Sequence, residues 1–323
     1  MQETQEVIKE VTKRGKKAFL CGGNLIVEGT HFVHKKPLPR NLEGEIRLEG
    51  EIPLWVVPLL FSDDVTVSHH ENNTLLLRGD YVLRVPVAVR KPTPLPTGGE
   101  NLILPRKMAA EMGKLVPFCG ETPPFSAVYW DGERAVATDR FVFVALTSSG
   151  ASIRRITPLL LPKEGVLLLS KLASSWEGGD HLEAHFGEGW LRVSAGEEEL
   201  TLFLVGGVFP EFDSVLGVPR RGVKVEVPLF KEALSLAQKV GDLASLTFGE
   251  EGAILEVNGH FGEYQRRFPW RQPGVALTAK LSPALLSDLL GLFRQQERAF
   301  INVAGSLLYL WNEEGFFAAT GTL

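Results

Sequence analysis

The chain has 323 residues, is 44% hydrophobic and 23% charged, and carries a formal net charge of −5 with a pI near 5.9. That length suits two or three domains with real cores, and the composition is that of an ordinary globular protein. The acidic balance excludes attachment to nucleic acid by surface-wide attraction, so any such role must rest on a local basic surface. The two cysteines, Cys21 and Cys119, make neither a disulfide framework nor a zinc site and read as small core residues. No apolar run has the length of a membrane span. The charged start "MQETQEVIKEVTKRGKKAF" lacks the apolar core of a signal peptide, so the sequence reads as cytoplasmic with no membrane partner.

Helical patterns are few. In chain order they are "ETQEVIKEVTKRG", "PLWVVPLLFSDD" (53–64, which Pro58 must break or kink), "LPRKMAAEMGKLVPF", "GVLLLSKLASSW", "VPLFKEALSLAQKVGD" and "SPALLSDLLGLF". In the last, Ser282 suits the N-cap and Pro283 the first helical position. The second, fourth and sixth recur at a spacing of about 115 residues, and each is followed by a train of short β-rich runs broken by Gly, Asn, Asp or Glu turns. The other three lead into further strands. The separators "VRKPTPLPTGGE" and "VLGVPRRG" are rich in proline and glycine, as linkers are. The expected class is α+β, with domains at 1–98, 99–217 and 218–323, each holding two halves of helix plus antiparallel sheet.

Helical spacing sorts side chains into faces. Met108, Met112 and Leu115 form one apolar stripe, and Phe230, Leu234 and Ala237 another. Lys107, Glu111 and Lys114 share a second face of the first helix; Lys231, Ser235 and Gln238, with Lys239 beside them, share one of the other. Lys13, Arg14, Lys16 and Lys17 gather where the opening helix ends. Such cations are ordinarily solvated and favourable near a helix C-terminus. The acids collect in the turns "HFGEGW", "AGEEEL", "FGEEGA" and "WNEEGF", so basic helices with acidic edges would also suit a body that is positive on one concave face.

No GxGxxG, GxxxxGK[ST], HExxH or GxSxG motif occurs. In "SHHENN" (68–73), His69 and Glu71 would share one face of a strand while His70 points away. Two ligands are too few for a metal, and a solvated turn is the better reading. The expectation is no enzyme, no catalytic residues, no metal and no cofactor.

Three stretches, in order, then carry a family likeness. "VATDRFVFVA" (136–145) is similar to a strand motif A-T-D-G-H-R-L-A; "LLLPKEGVLLLSKL" (159–172) to a V-P-R-K-G-like entry into a helix; and "FPEFDSVL" (209–216) to F-P-D-Y-x-x-V-L. The chain thereby resembles the β sliding clamp, the processivity subunit of bacterial DNA polymerase III. The resemblance covers the whole chain and is clearest in the middle third. It implies three DNA-clamp domains whose helices line a ring, closed as a homodimer around double-stranded DNA without sequence preference. It also implies partners, DNA polymerase and clamp loader, that dock by short linear motifs.

The resemblance further assigns residues. The partner-peptide pocket would comprise Phe125, Thr138, Arg140, Phe141, Val142, Phe143, Pro210, Ser214, Val215, Phe317, Ala319 and Leu323. DNA would face Lys13, Arg14, Lys17, Arg106, Lys107, Lys114, Lys171, Lys231 and Lys239. The ring joint would use Tyr81 and Leu83 on one side and Val240 on the other. The departures are specific. The family's G-H-R-L is here Arg140-Phe141-Val142-Phe143, and its C-terminal M-P-M-R-L is "ATGTL". Without flexible methionines the site should be narrower and more aromatic. Strand alternation turns at least one of Phe141 and Phe143 inward. The opening strand of the family is missing, which shortens the first domain. These departures mark a diverged member, such as a virus or plasmid encodes. The alternative function is a clamp-fold scaffold that binds peptides without encircling DNA.

Overall fold

Alternation with period two dominates the chain: strands such as Ala244–Gly249 and Val223–Glu226 bury every second residue. The computed structural model describes residues 2–39, 49–62, 64–70, 74–148, 156–217, 222–271, 277–293 and 298–322. In chain order the first elements are α1 (Gln2–Arg14), β1 (Lys17–Cys21), β2 (Asn24–Glu28), β3 (Phe32–Pro37) and β4 (Gly50–Ile52). Next come α2 (Val57–Leu60), β5 (Thr66–His70), β6 (Thr74–Arg78), β7 (Val82–Pro86), β8 (Glu100–Pro105) and α3 (Arg106–Met112). The middle holds β9 (Ala127–Trp130), β10 (Arg134–Thr138), β11 (Val142–Thr147), β12 (Leu159–Pro162), α4 (Lys163–Ser175), β13 (His181–Gly187), β14 (Trp190–Ala195) and β15 (Glu198–Phe203). The last third holds α5 (Asp213–Leu216), β16 (Val223–Glu226), α6 (Val227–Val240), β17 (Ala244–Gly249), β18 (Gly252–Gly259) and β19 (Gly262–Phe268). It ends with β20 (Leu277–Leu281), α7 (Pro283–Leu290), β21 (Arg298–Ala304), β22 (Leu307–Trp311) and β23 (Phe316–Gly321). The fold is mixed helix and sheet, and the sheets are antiparallel.

Local signals act as the sequence suggests. The Ser282 hydroxyl accepts from the Leu285 amide at 3.4 Å, with Pro283 in the first turn. Both apolar stripes, Met108–Met112–Leu115 and Phe230–Leu234–Ala237, are buried. The segment at 53–64 is shorter than its pattern: a 3₁₀ turn at Leu54–Val56 runs into the single turn of α2, with Pro58 at its start.

By packing, the chain gathers into two units: residues 1–116 with 157–207, and residues 117–156 with 208–323. In the first, one sheet runs β4-β1-β2-β3-β15-β14-β13-β8, and a smaller one runs β5-β6-β7. In the second, β9-β10-β11-β23-β22-β21-β16 lie side by side, and a separate sheet runs β19-β18-β17-β20. Strands distant in sequence meet at β3·β15, with His34 opposite Leu200, and at β11·β23, with Ala145 opposite Phe317. A sheet built from strands far apart in sequence is one packing unit, so the units formed by packing are not continuous along the chain.

The linker after β7 is a strap. Ala88 exchanges both backbone hydrogen bonds with Glu51 at the β4 edge, 2.8 and 2.9 Å, and the chain next pairs at β8, the opposite edge. Between them it crosses the face of the sheet that turns away from the helices. There the Thr93 amide donates to Glu28 Oε1 at 2.5 Å, the Thr93 hydroxyl donates to Oε2 at 3.2 Å, and Arg192 donates to the Pro96 carbonyl. The crossing spans on the order of 35–40 Å. The dozen residues from Ala88 to Glu100 would reach about 40 Å fully extended, and Gly98 and Gly99, at φ +81° and +99°, turn the chain just before β8.

At the β3·β15 junction the helix-side face buries a polar group. His34 is 1% exposed, with Nε2 3.3 Å from Glu198 Oε2; Lys36, on the same strand, also pairs with Glu198. Burial, and then the Lys36 charge, push the His34 pKa down from 6.5 to about 3; burial pushes Lys36 down to about 8. His34 is therefore neutral in the fold, whereas the unfolded chain takes a proton below pH 6.5. As pH falls from 6.5 toward 3 the unfolded state binds more protons, so this group withdraws stability at up to about 1.4 kcal/mol per pH unit. Denaturant titrations of the wild type and His34→Leu at pH 7, 6 and 5 should show the wild type losing stability relative to the variant. Parallel pH profiles would show that His34 carries no such linkage.

Candidate functional site

The registers of β9, β10, β11, β23, β22 and β21 align one face into two rows. Tyr129, Val136, Ala145, Phe317, Trp311 and Phe300 form the first; Thr138, Phe143, Ala319, Tyr309 and Asn302 form the second. The segment holding "FPEFDSVL" lies on this face. Phe212, 7% exposed, sits 5.0 Å from Tyr129, 5.7 Å from Phe143 and 6.0 Å from Phe209 between ring centroids. Phe209 reaches Tyr129 at 5.2 Å, Phe143 meets Phe317 at 6.2 Å, and Trp311 stacks on Phe300. Tyr129, Phe143, Phe209, Val215, Leu216, Phe300 and Leu307 are only partly buried around this core, leaving an apolar surface open to solvent.

An ion-pair staple fixes the segment. Arg134 donates to Asp131 Oδ2 at 2.9 and 3.1 Å and to Asp213 Oδ1 at 2.6 Å, and its guanidinium lies 5.0 Å over the Phe212 ring. Partial burial opposes its charge, but the hydrogen bonds to Asp213 and Asp131 outweigh burial and raise its pKa above the ordinary value. The first residue of α5 is thus tied to the first residue of β10.

At the other end of β10 the turn into β11 is rigid. Thr138 Oγ1 donates to the Val142 carbonyl at 2.6 Å and accepts from the Arg140 amide at 3.0 Å. Asp139 Oδ1 accepts from the Phe141 and Val142 amides at 2.9 and 2.8 Å. Arg140 is held at φ +89°, the one positive φ outside glycine among the described residues. It stands where the resembled motif has glycine. Its guanidinium lies 4.6 Å over Phe125, and Phe141 is 82% exposed.

Most of the expected pocket residues come together here. Phe143, Val215, Phe317 and Ala319 lie on the face, Pro210 and Ser214 are exposed on its covering segment, and Phe125, Arg140 and Phe141 mark its end. Thr138 is a buried brace. Val142 alternates onto the opposite face, in step with Val144, so its side chain does not line this surface. Leu323 lies outside the described residues. The residues that sequence reasoning missed are Tyr129, Arg134, Phe209, Phe212, Tyr309 and Trp311. Period-two alternation in "LLYLW" and the aromatic pair in "FPEF" were the available signals.

The expected DNA-facing cations divide by their surroundings. Lys13, Lys17 and Lys239 are exposed, and so is Lys107. Arg14 pairs with Glu10 at 2.5 Å, Lys114 with Glu111, and Lys171 with Glu6 at 3.7 Å, while Arg106 donates to the Trp176 carbonyl. Lys231 is half-buried, and burial lowers its pKa. The "SHHENN" turn lies largely outside the described residues; among those described, no group of three or more His, Cys, Asp or Glu is placed to hold a metal. Among the described residues no helix is long and apolar enough to cross a membrane.

The expected joint residues lie at a sheet edge and at a helix end. β7 is an edge strand whose Tyr81–Val82 entry is exposed, with Leu83 half-buried. Val240 ends α6, where Gly241 packs against Asn258 and Gly259. That contact brings the exposed Leu243 and Phe261 to the same end of the sheet edged by β19, and the pattern of α6 alone did not reveal them.

Phe212→Ala should destabilise the fold by about 3 kcal/mol, by opening a cavity under a staple that remains charged. Arg140→Gly should leave the melting temperature unchanged or raise it, because glycine adopts this φ without strain. A calorimetric loss on Arg140→Gly as large as that of Phe212→Ala would show that the Arg140 stack outweighs its backbone cost.

No protein-family model matches the sequence, and no curated protein sequence matches it. Solved structures match its fold from end to end. The DNA polymerase III beta subunit of Thermotoga maritima aligns with a TM-score of 0.81 at 17% identity, over 100% of this chain and 97% of the other. A DNA polymerase sliding clamp from Pseudomonas aeruginosa aligns at 0.78 and 16%, over 100% and 97%. A putative DNA polymerase III beta subunit from Eubacterium rectale aligns at 0.80 and 10%, over 99% and 98%. The chain has the fold of these clamps along its whole length.

Proposed function

We propose that the protein is a DNA sliding clamp. Two copies would close into a ring around duplex DNA, and the aromatic face beneath 209–216 would tether a polymerase and accept a clamp loader through short linear motifs. The observation that carries the reading is the inventory of sheet edges. Within the chain, half-sheets join twice by the same rule, β3 to β15 and β11 to β23. Two half-sheets remain, and they end in β7 and β19. Joining those between copies completes the series, and a head-to-tail contact that closes leaves no exposed edge at the joint. Tyr81, Leu83 and Val240, with Leu243 and Phe261, would line that joint.

The repeats 1–98, 99–217 and 218–323 are then the units of the ring, and the helices carrying Lys13, Lys107 and Lys239, with Lys17 at the start of β1, would face DNA. Cations near phosphates hold a duplex loosely and without reading sequence, so the clamp can slide. Linkage through the hole, rather than affinity, keeps it on DNA, which reconciles this role with a net charge of −5. The tether raises polymerase concentration at the primer end. The role involves no covalent chemistry and no cofactor, and it is exercised in the cytoplasm.

Light scattering on the eluting peak of a sizing column should give twice the 35.5 kDa chain mass over a dilution series. Leu83→Asp should return the mass to one chain with its circular dichroism intact. A wild-type monomer at tens of micromolar would overturn the self-closing ring and leave a clamp-fold scaffold.

A further inference from the structure

We propose that Arg140 makes this face selective for acidic partner segments: its guanidinium receives an Asp or Glu that lies beside a large apolar residue packed over Phe141 and Phe143. The inference rests on the docking reading above and names the chemistry of its ligand. Four observations lead to it. First, a side chain occupies a backbone conformation that side chains disfavour, at the position where the resembled motif has glycine. Second, the conformation is enforced by the Thr138 and Asp139 hydrogen bonds, so the turn projects Arg140 and Phe141 together into solvent. Third, the Phe125 ring orients the guanidinium from one side without neutralising it.

Fourth, Arg134 and Asp139 beside this end of the face are already committed, while Lys224, 5.7 Å over the Phe300 ring, stands at the far end of the first row. Arg134 is consumed by Asp131 and Asp213, and the Asp139 carboxylate by two backbone amides. Among the described residues no ion pair engages Arg140, and its planar fork suits a carboxylate. The chain as a whole is acidic and would repel an acidic peptide, so any preference for one must arise locally.

The test selects random nine-residue displayed peptides on the full-length chain. An enriched acidic peptide is then synthesised beside its Asn or Gln analogue. Enriched sequences should carry Asp or Glu within two positions of Leu, Met or Phe. Arg140→Gln should weaken the acidic peptide about fivefold at low salt and leave the amide analogue within about twofold. Arg140→Lys should recover part of the loss, and about 0.5 M salt should erase the difference. Val215→Asp should weaken both peptides, which locates them on this face. If Val215→Asp acts but acid and amide bind alike, or Arg140→Gln weakens both equally, the docking reading stands and the Arg140 assignment fails. If no peptide is enriched, or Val215→Asp has no effect, the docking reading fails and the assignment with it.

Discussion

A strand at the edge of a sheet carries a row of unpaired amides and carbonyls, and this chain is organised by how those rows are closed. At β3·β15 and β11·β23 the closure joins strands far apart in sequence, so neither set of strands completes its sheet without the other. The helices pack on one face of these sheets and the linkers on the other. Which face meets which partner therefore follows from the edge pairing.

The two linkers solve the same problem with different chemistry. The first is held to its sheet by a carboxylate and an arginine, Glu28 to Thr93 and Arg192 to Pro96. The second lies on its sheet through Phe209 and Phe212, with Arg134 and Asp213 as its only charged tie among the described hydrogen bonds. A polar fastening satisfies every group it buries and leaves little for a ligand. An aromatic one leaves ring surface partly open, which is why the candidate site lies in the second unit although the sequence repeats.

Much of this was legible in the sequence. Ser282 and Pro283 announced their helix because a cap is local chemistry. The stripes at Met108 and Phe230 were legible because helical period is local geometry. The long spacing of the helices, with "ATDRF" and "FPEF" in order, pointed to the fold. Pairings between distant residues were not legible. Nothing near Arg134 in the sequence nominates Asp213, and nothing near Lys171 nominates Glu6. Strand parity decided Val142, since a one-residue shift exchanges faces. The left-handed backbone of Arg140 was visible only by comparison with a glycine in the resembled motif.

The doubly anchored strap has a consequence for how such a chain can vary. Ala88 and Glu100 are anchored on opposite edges, so the residues between them must cover the width of the sheet. An added residue can bow into solvent at small entropic cost. A deleted one shortens a span anchored at both ends, and once Gly98 and Gly99 have straightened, it must unpick either the Ala88–Glu51 bridge or the first pair of β8. Length change in this linker is therefore asymmetric: a longer crossing is accommodated more readily than a shorter one.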